Sequence, residues 1–84
     1  MYFDNEVALY STISRNIKNH RQKSGLTQAQ LAEKAGISIS YLSKIEAAGC
    51  DKGLSIAVLN NIANVLDIEI TNFFKEGAIH DSSN

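Results

Sequence analysis

Apolar residues recur at intervals of three and four along most of the chain, a spacing that places them on one face of a helix. The clearest examples are residues 5–23 and the stretch that follows Ser55. The first apolar face comprises Leu9, Tyr10, Ile13, Ile17 and His20, and the second comprises Ile56, Val58, Leu59, Ile62, Ala63, Val65 and Leu66. Both stretches are therefore predicted to be amphipathic helices that share a core.

Capping residues predict two shorter helices between these stretches. Thr27 and Gln30 have the spacing of a capping box, and the helix they begin is predicted to end at Gly36. Ser38 is the cap of the next helix, and Gly25 and Gly36 suit the left-handed conformation in which helices often end. The inward residues of the two helices are predicted to be Leu31, Ala32, Ala35, Leu42, Ile45 and part of Tyr41.

The remaining pattern predicts an all-α protein of one domain. A short last helix near residues 69–74 carries Ile70, Phe73 and Phe74, and no segment alternates with the period of a strand. The 84 residues leave no room for a second domain, so residues 1–84 are divided into an N-terminal extension (1–12), a core (13–76) and a frayed tail (77–84).

The net charge of −1 conceals an uneven distribution. Residues 14–52 contain seven Lys and Arg residues against three Asp and Glu residues, whereas the rest of the chain contains one against six. A basic segment joined to acidic ones is typical of a protein that turns one face towards an anionic partner, although small proteins often show such clustering by chance.

Several classes of function find no support in the sequence. Cys50 has no cysteine partner, and His20 and His80 have no third ligand, so we expect no disulfide, metal or cofactor. We find no paired carboxylates, no nucleophile–base pair and no phosphate loop, so the chain is not expected to be an enzyme. Without a signal peptide or an apolar run long enough to span a bilayer, a cytoplasmic location and no membrane association are expected.

Two short helices joined by a glycine turn form a helix-turn-helix, and its residues are specific. Residues 25–46 read GLTQAQLAEKAGISISYLSKIE, and they closely resemble the Xre family of phage-repressor-like (lambda repressor-like) regulators. The resemblance continues through residues 55–74. It implies a compact five-helix bundle that binds operator DNA in a sequence-specific way, as a repressor or autoregulator.

The second helix of such a motif reads base edges in the major groove. On helix 38–46 the predicted outward arc consists of Ile39, Ser40, Ser43 and Lys44. Lys44 can donate to guanine O6 or N7, the serines can donate or accept, and Ile39 can contact a thymine methyl group. The alternative is that the two serines and Ile39 are ordinary surface residues.

Phosphate contacts are assigned to other positions. Thr27 and Gln28 lie where the free N–H groups of a helix N-terminus favour an anion, and in the family the matching glutamine touches phosphate. Tyr41 and Lys52, with Arg15 or Lys18, are further candidates. The loop 47–54 departs from the family pattern because it is longer and less basic, which weakens the case for Lys52.

The resemblance implies two further features. Arg21 and Glu46 are expected to form an ion pair that ties the reading helix to the bundle. A homodimer on an inverted-repeat operator is expected, with an apolar surface at Ile68, Ile70, Phe73 and Phe74. The two phenylalanines are expected to lie first in the core, with part of their surface available to the partner subunit. No small-molecule ligand is expected. The alternative function is an antitoxin or another protein-binding module on the same bundle.

Overall fold

The computed structural model describes residues 3–47 and 54–76. They form four α-helices: α1 (Glu6–Lys23), α2 (Gln28–Ala35), α3 (Ile39–Glu46) and α4 (Ile56–Leu66). A 3-10 helix over Ile70–Phe74 follows. The described residues contain no strand, so the all-α class is confirmed.

The resemblance implied a bundle of five helices. The described residues contain four α-helices, because the last element is a short 3-10 helix. The backbone N–H of Asn72 donates to the carbonyl of Glu69, three residues earlier, at 2.9 Å. The Asn72 side-chain amide donates to the same carbonyl at 3.1 Å. Five residues leave little room for the i to i+4 bonds of an α-helix, and tight turns of this kind are common in short pieces.

Every predicted cap among the described residues is confirmed. Thr27 accepts from the N–H of Gln30 at 3.0 Å, and the Gln30 side chain accepts from the N–H of Thr27 at 2.9 Å, which completes the capping box. Ser38 and Ser55 each accept from the N–H three residues later. The caps satisfy backbone donors that have no acceptor within their own helix.

The core lies where all five helical elements meet. Its buried apolar residues are Ile13, Ile17, Leu31, Ala32, Ala35, Leu42, Ile45, Leu59, Ile62, Ala63, Leu66 and Phe73. Ile56 was predicted to face inward, but it is 69% exposed. Ile56 is the first residue of α4 and lines an open groove together with Leu9, Tyr10 and Phe74.

Two buried polar side chains of α1 bind it to α3 and to the segment at the end of the 3-10 helix. The Ser14 hydroxyl donates to the carbonyl of Ile45 in α3 at 2.6 Å. The Asn16 side-chain amide donates to the carbonyls of Phe73 and Lys75, at 2.9 and 3.0 Å. Sequence reasoning missed both residues, although Asn16 lies three positions after Ile13 and so falls within the apolar stripe. These bonds orient α1, which carries one partner of the ion pair described below.

Within the described residues, no helix has the length and apolar character needed to cross a lipid bilayer.

Candidate nucleic-acid interface

The turn between α2 and α3 sets the angle of the candidate reading helix. Gly36 adopts a left-handed conformation with φ +75°, and its N–H donates to the carbonyl of Glu33 at 3.2 Å. The N–H of Ile37 donates to the carbonyl of Ala32 at 3.0 Å. These two bonds form a Schellman motif, which ends α2, and Ser38 begins α3 two residues later.

The outward arc of α3 is as the sequence predicts. Its four residues, Ile39, Ser40, Ser43 and Lys44, are all exposed. Ile39 is exposed to 51%, whereas Leu42 and Ile45 on the opposite arc are completely buried. Tyr41 lies between the two arcs and is half-buried. The structure therefore presents a short polar helix face with one apolar side chain at its N-terminal end.

Arg21 and Glu46 form a bidentate ion pair between α1 and α3. The Arg21 Nε and Nη2 atoms donate to the two carboxylate oxygens of Glu46 at 2.7 and 3.0 Å. Arg21 Nη1 also donates to the carbonyl of Leu26 at 2.8 Å. The two side chains are only 11% and 3% exposed. A buried bidentate pair fixes both position and orientation, so it anchors the C-terminal end of α3.

Gln28 connects α2 to this pair and to the outward arc. Its Nε2 donates to Glu46 Oε1 at 3.0 Å, and its Oε1 accepts from the Ser43 hydroxyl at 2.9 Å. The sequence suggested Gln28 only as a phosphate contact, and nothing in its local pattern indicates this bridge. The second N–H of its side chain and the backbone N–H remain as donors to an anion.

The other predicted phosphate contacts fall in different parts of the structure. Thr27 is exposed at the start of α2, where helix N–H groups point outward. Arg15 and Lys18 are exposed on α1. Lys52 and Cys50 lie outside the described residues, as do most of the loop 47–54 and the tail 77–84.

Three of the four residues of the predicted dimer surface keep exposed area, and one is fully buried. Phe73 is completely buried, so it is removed from that surface. It fills the core beneath α1, where the ring of His20 meets its edge at a centroid distance of 6.2 Å. Ile68, Ile70 and Phe74 are half-buried and keep some exposed apolar area.

His20, predicted to lie on the apolar face of residues 5–23, is half-buried at the edge of the core. Burial lowers its pKa below the ordinary value of 6.5, and the nearby positive charges of Lys23 and Lys75 act in the same direction. The imidazole is therefore stabilised in its neutral form.

Comparison with known proteins identifies the same motif. The sequence model of a helix-turn-helix family matches residues 17–73. The HTH-type transcriptional regulator SinR of Bacillus licheniformis is 38% identical over 64 residues, which cover 76% of this chain and 57% of that protein. The immunity repressor protein of Bacillus phage phi105 is 42% identical over 60 residues, which cover 71% of this chain and 40% of that protein.

Among solved structures, the master regulator for biofilm formation SinR in complex with DNA superposes with a TM-score of 0.68 at 36% identity. The match covers 75% of this chain and 98% of that chain. The chain spans about half the length of the curated relatives it matches. These similarities confirm the resemblance found at residues 25–46: the chain belongs to the helix-turn-helix family of phage-repressor-like regulators.

Proposed function

We propose that this chain binds double-stranded DNA in a sequence-specific way and represses transcription, with α3 in the major groove. The observation that carries the proposal is the outward arc of α3. It presents small and cationic side chains on a helix held by a buried ion pair. Similarity to a SinR chain solved with DNA, and to an immunity repressor, supports the same function.

The residues of the arc differ in what they can read. Lys44 donates, and guanine O6 and N7 are its best acceptors in the major groove. Ile39 offers an apolar surface to a thymine methyl group, and the short side chains of Ser40 and Ser43 allow the helix to approach the bases closely. We assign base contacts to these four residues.

Phosphate contacts are assigned to the N-terminal end of α2 and to the flank of α3. Thr27 and Gln28 lie where two backbone N–H groups lack an intrahelical acceptor, which favours a phosphate oxygen. Tyr41 lies beside the arc, and Lys52 completes the set as a sequence-based assignment. Such contacts position the protein without reading sequence.

A homodimer on an inverted-repeat operator is part of the proposal. One helix in one groove covers few base pairs, and a two-fold dimer places a second half-site about 34 Å away. Ile68, Ile70 and Phe74 supply apolar area for such an interface.

The test is selection from a pool of randomised duplexes, followed by competition gel shifts with the selected and a scrambled duplex. We expect the wild type to prefer the selected duplex and Lys44→Ala to lose about 1–3 kcal/mol on it. Lys34→Ala, an exposed lysine of α2, is the matched control and should keep the preference. Equal affinity for both duplexes would contradict the proposal and would favour a protein-binding role.

A further inference from the structure

We propose that Gln28 sets the hydrogen-bonding polarity of Ser43, so that Ser43 selects a base carrying an exposed amino group: adenine or cytosine. The inference rests on the proposed function, because it concerns one base pair of the DNA that α3 reads. It assigns Gln28 a role as a positioning residue that acts on DNA through another side chain.

Glu46 determines the orientation of the Gln28 side-chain amide, and through it the hydrogen-bonding polarity of Ser43. Both of its carboxylate oxygens accept hydrogen bonds from Arg21, and Oε1 also accepts from the Gln28 side chain at 3.0 Å. A carboxylate in a bidentate pair with a guanidinium can only accept. The Gln28 group that faces Glu46 must therefore be its NH2 group, since the opposite orientation would place two acceptor oxygens against each other in a buried site.

The orientation of Gln28 then determines what Ser43 can do. With the NH2 group turned to Glu46, the Gln28 carbonyl oxygen faces Ser43, and the 2.9 Å contact requires the serine hydroxyl to donate. A hydroxyl has one proton and two lone pairs. Once its proton is committed to Gln28, Ser43 offers only lone pairs to any group on the exposed side of α3.

Only some bases can donate a hydrogen bond to such an acceptor. In the major groove, adenine N6 and cytosine N4 carry donors, whereas guanine O6, guanine N7 and thymine O4 are acceptors. Ser43 is therefore complementary to adenine or cytosine. Its neighbour Lys44 has the opposite requirement, because an ammonium group only donates. Ser43 thus requires a base that donates, and the adjacent Lys44 requires a base that accepts. A serine whose proton was free could pair with a donor or an acceptor.

The experiment compares base preferences selected from a randomised duplex pool by the full 84-residue chain and its variants. Ser43→Ala identifies the affected base pair, since its preference disappears there. At that position we expect the wild type to favour adenine or cytosine about 3- to 10-fold, the range of one net hydrogen bond. Gln28→Met keeps the length of the side chain but frees the Ser43 proton.

Gln28→Met is expected to reduce that preference to about 2-fold or less, because a free hydroxyl accepts from or donates to any base. Preferences elsewhere in the site should persist, even if loss of a phosphate contact weakens binding overall. Gln22→Met, the same change at an exposed position of α1, should leave every preference intact. If Gln28 had only a structural role, Gln28→Met would weaken the base preference equally at all positions. That result would overturn the inference.

A measurement without DNA separates this inference from the proposed function. In nuclear magnetic resonance spectra, Ser43→Ala should shift the side-chain amide resonances of Gln28, and Ser40→Ala should not. If these shifts occur but the wild type selects no DNA sequence, the proposed function fails and the inferred base preference fails with it. If DNA is selected and Ser43 prefers guanine or thymine, only the inference is overturned.

Discussion

Glu46 accepts hydrogen bonds from side chains on two other helices, Arg21 of α1 and Gln28 of α2. Its side chain is only 3% exposed, so solvent cannot replace a lost partner. This one carboxylate therefore links α1, α2 and α3, the three helices of the candidate interface. Such a pair contributes chiefly to orientation, since two apolar residues of the same size often give equal stability.

Glu46→Ala is expected to lower the free energy of unfolding by about 3–5 kcal/mol, because the guanidinium of Arg21 is left buried without its partner. Thermal denaturation followed by circular dichroism measures the change. Glu33→Ala, an exposed acid on α2, is the control and should stay within about 0.5 kcal/mol of the wild type. An unchanged melting temperature for Glu46→Ala would contradict the buried pair.

His20 makes the stability of the fold depend on pH. Burial, with Lys23 and Lys75, lowers its pKa below 6.5, so the unfolded chain binds a proton at this residue more readily than the folded one. The stability that the neutral ring contributes is complete above pH 6.5 and is lost as the pH falls through the lowered pKa. His20→Leu removes the titrating group but keeps an apolar contact for Phe73.

Melting temperatures of the wild type and His20→Leu should therefore diverge between pH 7.5 and pH 5, with the wild type losing more. If the two plots of melting temperature against pH ran parallel, His20 would have the same pKa in the folded and the unfolded chain, which would contradict the prediction.

At the scale of the elements, α1 and α2 end in Schellman motifs with glycine in the left-handed position. Gly25 and Gly36 both have φ +75°, and a Cβ atom added to either would meet no heavy atom within 4 Å. α4 ends in the same way with Asp67 at φ +60°. The preference for glycine at the first two positions therefore comes from the local backbone conformation and not from crowding by other parts of the protein.

Gly36→Ala should cost about 1–2 kcal/mol, the penalty for placing a Cβ atom in the left-handed region. Because nothing clashes, the variant should keep its fold, and DNA binding should persist at temperatures where the protein remains folded. Ala29→Gly, at an exposed position in the first turn of α2, is a matched control for changing a single methyl group in the motif. A loss of several kcal/mol in Gly36→Ala would imply a collision that the structure does not contain.

At the scale of the whole molecule, charge and apolar surface are separated. Most of the basic residues belong to α1, α2 and α3, whereas residues 54–76 hold one lysine against three acids. The half-buried Ile68, Ile70 and Phe74 lie in that acidic part. This separation suits a dimer in which the acidic segments meet the partner away from DNA and the basic helices face the phosphates.

Sedimentation at micromolar concentration should therefore show a dimer that Ile70→Lys converts to a monomer. Ile70 is preferred to Phe73 for this test because Phe73 is completely buried, and its replacement would unfold the protein. Circular dichroism verifies that Ile70→Lys is folded. Ile39→Lys, at an exposed isoleucine of α3, should remain dimeric. A wild-type monomer that binds one asymmetric site with full affinity would contradict the dimer.

The helix boundaries, the caps and the outward arc of α3 could all be predicted from the sequence. The reason is that each depends on residues within a few positions of one another. Thr27 and Gln30 cap α2 through bonds that span three residues, and the exposure of Ser40 and Ser43 follows from helical periodicity. Family resemblance was needed for the pairing of Arg21 with Glu46, which are 25 positions apart.

Only the tertiary structure decided which distant groups meet. Gln28 reaches Ser43 across 15 positions, and Asn16 reaches the carbonyl of Phe73 across 57. Helical periodicity predicts which face a side chain occupies but not which helix covers that face. Phe73, expected in the core with part of its surface left for a partner, therefore has no exposed area, and Ile56, expected in the core, is 69% exposed. The angle at which α2 docks on α3 determines where the Gln28 amide lies, and that angle results from packing of the whole core.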